Sequence, residues 1–91
     1  MFSILYTQSY NKRAARFLKK HPEMKEQYRK TLMLLEANPY HPSLRLHRLQ
    51  GKLNELHSIS VNLSVRITIY FMIQEKNLIP VDIGDHDTVY K

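Results

Sequence analysis

The feature that most constrains this chain is a change of hydrophobic period near its middle. Up to Leu35 the apolar residues recur every three or four positions, as on one side of an α-helix, whereas from Leu44 onward they alternate, as on one face of a strand. Asn38-Pro39-Tyr40-His41-Pro42 separates the two regimes, and its two prolines suit neither a helix interior nor a central strand. A chain patterned this way is expected to be α+β, with its helices gathered on one side of a sheet.

The helical half divides in two. Phe2 to Tyr6 reads as a short strand, being aromatic and β-branched, and Thr7 or Ser9 caps the helix that follows. Tyr10, Ala14, Phe17 and Leu18 form the apolar stripe of that helix and leave Lys12, Arg13, Arg16, Lys19 and Lys20 mostly outside it. His21-Pro22 interrupts the pattern, because the residue before proline resists the helical region while proline suits the first turn of a new helix. Glu23 and Glu26 sit near the positive end of this second helix. Met24, Tyr28, Thr31, Leu32 and Leu35 are its expected buried stripe, Asn38-Pro39 ends it, and the two helices are expected to pack as a hairpin.

In the second half Leu44 and Leu46 alternate with Arg45 and His47. Gln50-Gly51-Lys52 reads as a turn, Leu53 to Val61 as a strand, Val65 to Ile73 as the next and Leu78 to Gly84 as the last. The short turns at Asn62 to Ser64 and at Gln74 to Asn77 imply an antiparallel meander, giving the order β-α-α-β-β-β. Val65, Ile67, Ile69, Phe71 and Ile73 are expected on the face that meets the helices, together with Ile79, Val81 and Ile83. The opposite face then carries Arg66, Thr68, Tyr70, Pro80 and Asp82, and His86 follows by the same parity if the strand path continues.

Size and charge narrow the functional classes. At 91 residues the chain forms one domain, residues 1–91, with no room for a second. Residues 1 to 52 carry eleven Lys or Arg against three Glu, while residues 53 to 91 carry three against five acids. A formal charge of +6 with this asymmetry suits an anionic partner, either nucleic acid or an acidic protein, although a solvated charged face reads the same way. The absence of cysteine excludes a disulfide framework or a zinc-thiolate site. No apolar run is long enough to span a membrane, and Phe2 to Tyr6 is too short for a signal-peptide core, so a cytoplasmic location is expected.

Three of the five histidines, His47, His57 and His86, fall in or near strands. Histidine titrates near neutrality, so two of them can act as base and acid in one reaction. On the residues alone each has a plainer alternative. His86 between Asp85 and Asp87 reads first as a solvated terminal residue; His57 shares the parity of Ile59 and Val61, which suits a core histidine unless a bulge re-aims it; and Arg66 reads either as a phosphate contact or as an ion-pair partner of Asp82.

The stretches LHRLQGKLNELHSISVNLSVRITIYFM and VDIGDHDTVY resemble the RelE/ParE superfamily of bacterial toxins, and within it the YafQ-like messenger-RNA endonucleases. The resemblance covers essentially the whole chain: the helix hairpin, Leu-x-Gly-x-Leu, Arg-Ile-x-Ile-Tyr and the final Gly-x-His-x-x-x-Tyr. It implies a RelE-like helix hairpin on one face of a small, mainly antiparallel twisted sheet. It also implies a toxin held inactive by a cognate antitoxin, which cuts messenger RNA on the ribosome by 2′-hydroxyl attack without metal or cofactor. His86 matches the C-terminal catalytic histidine, His57 that of the middle strand, His47 the one before the glycine turn, and Arg66 the arginine at the start of the next strand. Tyr90 matches the terminal aromatic, and Tyr70, Arg45, Arg48 and Lys52 are candidate RNA contacts.

Two departures stand out. Asp82 occupies the place where relatives often carry arginine, and Asn62-Leu63 replaces an acid-aromatic pair, so Arg66 is expected to bear more of the phosphate stabilisation. The alternatives are a ParE-like inhibitor of DNA gyrase with no RNA chemistry, and a degenerate homologue that only binds its antitoxin.

Overall fold

The structure is a computed structural model and describes residues 2–49 and 56–85. Thr7 starts the first helix: its backbone is extended and its Oγ1 accepts the Tyr10 N–H at 3.0 Å, satisfying a donor that a helix start leaves open. Helix α1 (Gln8–Lys20) buries Tyr10 and Ala14 and half-buries Phe17 and Leu18, the stripe expected from its periodicity. Pro22 opens a 3₁₀ turn (Pro22–Met24) that leads into α2 (Lys25–Ala37), which ends at Asn38. Among the described residues no helix is long and apolar enough to cross a membrane.

Among the described residues five strands form one sheet: β1 (Ser3–Ile4), β2 (His47–Arg48), β3 (Leu56–Ser60), β4 (Val65–Met72) and β5 (Asn77–Asp85), in the order β1-β5-β4-β3-β2. β1 runs parallel to β5 and the other neighbours are antiparallel, so the mainly antiparallel α+β arrangement stands with one strand, β2, added to the expected order. The regular alternation expected from Leu44 does not form a strand there. Pro42 instead opens a 3₁₀ turn (Pro42–Leu44), Arg45 takes the left-handed conformation at φ 49°, and His47 and Arg48 pair with β3, with the Leu49 N–H donating to the Leu56 carbonyl at 2.9 Å. Leu44 is buried from the turn rather than from a strand. The expected turn at residues 50 to 52 lies outside the described residues, and Ile73 falls in the β4–β5 turn, exposed.

The helices cover one face. Val65, Ile67, Ile69 and Phe71 of β4 are all buried there, against Tyr10, Ala14 and Leu35 from the helices and Ile59 from β3. β5 departs from the expected alternation: Leu78 and Pro80, rather than Ile79 and Val81, are the buried residues of its first half. Ile69 pairs with Pro80 and Thr68 with Asp82, so Val81 is the extra residue of a β-bulge. Proline gives the physical reason. Pro80 has no N–H to donate to a ladder, and next to a bulge, on a stretch of β5 beyond its pairing with β1, none is required. Beyond the bulge the parity resets: Ile83 is buried toward the helices, while Asp82 and Gly84 share the face of Thr68 and Arg66.

The hairpin also contains a polar joint. Tyr10, 1% exposed, holds its hydroxyl 2.7 Å from that of Tyr28, linking α1 to α2. Burial, and after it the hydrogen bond with Tyr28, pushes the Tyr10 phenol well above its ordinary value of 10.0. Tyr28→Phe leaves the Tyr10 hydroxyl buried without its partner and should lower stability in urea melts by about 1–3 kcal/mol, whereas Tyr10→Phe with Tyr28→Phe should cost much less. Because the folded-state pKa is raised, wild-type stability should hold below the ordinary phenol value and fall as pH rises past it, since only the unfolded phenol ionises there; the double variant should flatten that alkaline limb.

Candidate active site

Cross-strand pairing sorts the candidate residues by face. Residues directly opposite in antiparallel strands share a face, and Arg66 lies between Ser60 on β3 and Gly84 on β5. Thr68 pairs with Ser58, which pairs with His47, so His47, Arg66 and Tyr70 all belong to the face turned away from the helices. With strands about 4.8 Å apart and a rise of about 3.3 Å per residue, the Cα atoms of His47 and Arg66 stand roughly 12 Å apart. That is a span two long side chains can close around a small charged group.

The floor of this face is made of short hydroxyl side chains. Ser58, Ser60 and Thr68 are buried, whereas Arg66 and Tyr70 are half-buried and His47 is exposed. Flanked by a serine and a glycine, Arg66 has lateral room on both sides. Its Nε is buried with no hydrogen-bond partner. An arginine is a rigid fork of donors suited to carboxylate or phosphate, and a buried donor left open is costly, so this is a site arranged to receive an acceptor.

Asp82 does not pair with Arg66, contrary to the ion pair considered from sequence. One carboxylate oxygen, Oδ1, accepts the Ile83 N–H at 2.9 Å, and the other lies 3.7 Å from Nη1 of Arg13 on α1. The same Arg13 Nη1 donates to the Val81 carbonyl at 3.3 Å, so Arg13 grips the bulge twice. The sequence held part of the signal for this in the row of cations outside the α1 stripe, but nothing in it showed which of them meets β5.

His57 lies on the other side. It pairs with Ile69, and the β3–β4 register runs unbroken from Leu56 to Ser60, so the bulge that would turn it toward Arg66 does not occur. Its ring stands 5.3 Å from that of Phe71, which also packs against Phe2 and Tyr40. Its place with Arg66 at one catalytic centre is therefore corrected: alternation puts the two on opposite faces. Arg48 pairs with His57 and shares its parity, while Arg45 precedes β2 as an exposed left-handed residue, so neither stands in the row of Arg66. His86, Tyr90 and Lys52 lie outside the described residues.

A groove of about 540 Å³ runs between α1 and the end of β5, its wall including Arg13, Arg16, Lys20, Asp82 and Asp85. It continues the basic surface of α1, whose outer face carries Lys12 as well. No periodicity argument within one element reveals such a groove, because its two walls come from segments far apart in the chain.

No family model and no curated protein matches the sequence. Solved structures do match. Escherichia coli YafQ superposes with a TM-score of 0.78 over 100% of both chains at 18% identity. A structure of the E. coli DinJ-YafQ toxin-antitoxin complex matches with a TM-score of 0.78 at 18% identity, over 99% of this chain and 98% of that one. A YoeB/ParE toxin from Agrobacterium tumefaciens matches at 0.73 and 14% identity, over 94% of this chain and 99% of that one. The chain thus has the α+β fold of the YafQ toxin.

Replacing Arg66 with methionine, of similar length and without the open donor, should raise stability by about 1 kcal/mol in a denaturant melt, because an unsatisfied buried donor costs about 1–3 kcal/mol. Stability unchanged or lowered by the substitution would mean that the Nε is well satisfied in solution.

Proposed function

We propose that this chain is the toxin of a toxin-antitoxin pair, a ribosome-dependent endoribonuclease of the RelE type that cleaves messenger RNA without metal. The observation that carries the proposal is Arg66: a guanidinium with an open buried donor, on the face turned away from the helices in a sheet whose fold is that of the YafQ toxin. An antitoxin partner is supported by the likeness to the DinJ-YafQ toxin-antitoxin complex, and the basic face of α1 would attract an acidic antitoxin segment or ribosomal RNA.

In this reading Arg66 holds the scissile phosphate. A base takes the proton from the ribose 2′-hydroxyl, the 2′-oxygen forms a bond to phosphorus, and the bond from phosphorus to the 5′-oxygen breaks, leaving a cyclic phosphate. An acid delivers a proton to the departing 5′-oxygen. His86, two residues beyond the Gly84 that pairs with Arg66, is the proposed acid, and His47, on the face of Arg66, is the proposed base or a further phosphate contact. Tyr70 and Tyr90 offer rings on which unstacked bases can lie, and Lys52, Arg45 and Arg48 extend the positive rim. His57, packed against Phe71 on the helix side, is assigned no proton transfer.

His86→Ala should abolish growth arrest in cells and lower cleavage by about 10²–10⁴-fold with the fold unchanged by circular dichroism. Arg66→Ala should lower it by about 10²–10³-fold, the usual cost of losing one group that stabilises developing charge. Mapping transcript ends after induction should reveal cuts within translated codons. Intact messages with blocked DNA supercoiling would instead establish the ParE-like reading, and a folded His86→Ala protein that stays fully toxic would remove His86 from the chemistry.

A further inference from the structure

In the β4–β5 ladder Asp82 and Arg66 are diagonal neighbours: Asp82 pairs with Thr68, and Arg66 pairs with Gly84. Such positions stand roughly 7–8 Å apart, within easy reach of an arginine. A carboxylate there is the natural quencher of the Arg66 charge, yet the two are not paired. Asp82 is folded back on its own strand, with Oδ1 on the Ile83 N–H at 2.9 Å and Oδ2 beside Arg13 at 3.7 Å. Arg13 is itself anchored, since its Nη1 also donates to the Val81 carbonyl at 3.3 Å, at the bulge.

We infer that Arg13 is a positioning residue that sequesters Asp82 and so keeps the Arg66 guanidinium open for an anionic substrate. The inference rests on the ribonuclease reading for its catalytic consequence, although the sequestration itself concerns only the free protein. Two cations compete for one carboxylate. Arg13 wins because the bulge gives it a second acceptor and because the Ile83 N–H already turns the carboxylate toward the strand edge. Arg66 loses the ion pair and keeps an open donor. Both side chains of the Arg13–Asp82 pair are substantially exposed, at 53% and 37%, so its removal should hardly affect global stability. What changes is the partner of Asp82.

The test uses Arg13→Ala, Asp82→Asn and the double variant, each read in two ways. The buried Arg66 Nε–H is shielded from exchange with solvent and can be followed by ¹⁵N NMR in the free protein. In Arg13→Ala its signal should shift as Asp82 turns toward it, and it should return toward the wild-type position when Asp82→Asn is added. In ribosome-programmed cleavage, Arg13→Ala should lower kcat/KM about fivefold, mainly through KM, which is about 1 kcal/mol at tenfold per 1.4 kcal/mol. Asp82→Asn should restore it in the double variant and by itself cost nothing.

An Arg66 signal unmoved by Arg13→Ala overturns the sequestration. So does a loss of activity that Asp82→Asn fails to restore, which would make Arg13 a direct RNA contact. Wild-type protein that cuts no message sinks the ribonuclease reading instead, and the NMR comparison then decides the sequestration independently.

Discussion

The apolar row of β4 beneath the helices is the constraint from which the rest of the molecule follows. The eight residues of β4 all pair with β5 and Arg66 to Tyr70 pair with β3 as well, and the row Val65, Ile67, Ile69 and Phe71 is withdrawn from water by the helix hairpin. A slip of one residue would drive that row into solvent and push Arg66, Thr68 and Tyr70 beneath the helices, so the register is held by the apolar area at stake. The polar row is therefore fixed as firmly as the core, though it contributes little to holding the fold. Arg66 is kept on the face turned away from the helices because Ile67 beside it is buried beneath them.

The bulge at Val81 adapts the last strand to that constraint. Strict alternation cannot bury Leu78, Pro80 and Ile83 together, since the spacing from Pro80 to Ile83 is odd. One extra residue resolves the conflict, and it also brings Gly84 opposite Arg66 and carries Asp82 to the strand edge, where Arg13 meets it. A single local irregularity thus links α1 to the surroundings of the arginine. The Asp82 carboxylate has a partner of its own in Arg13, and the open donor of Arg66 is what that partnership leaves behind.

The proposed chemistry makes modest demands on such a scaffold. Cleavage by a neighbouring hydroxyl needs no cofactor cavity; it needs a phosphate held in line, a place for a proton to go and one from which it comes. In the proposed reading the Arg66 guanidinium holds that phosphate, with the small residues Ser60 and Gly84 on either side of it. The basic outer face of α1 is a separate surface and suits a sequence-blind, salt-sensitive contact.

The sequence by itself determined the elements and the rows within them. The period change at Asn38-Pro39, the Thr7 cap, the break at His21-Pro22, the apolar row of β4 and the place of Arg66 on the opposite face are all local patterns, set by repeat length, by proline geometry and by capping. The parity of His57 with Ile59 was legible too, and it outweighed the family pattern that placed His57 in the site. Only the tertiary structure decided the rest: that Leu44 is buried from a turn, that β5 shifts register at Val81, and that Asp82 turns to Arg13 rather than Arg66. Each depends on how two distant segments meet. Alternation fixes which way a side chain points along one strand, but a bulge is a compromise between two strands. An ion pair is likewise a competition among cations that the fold alone brings within reach.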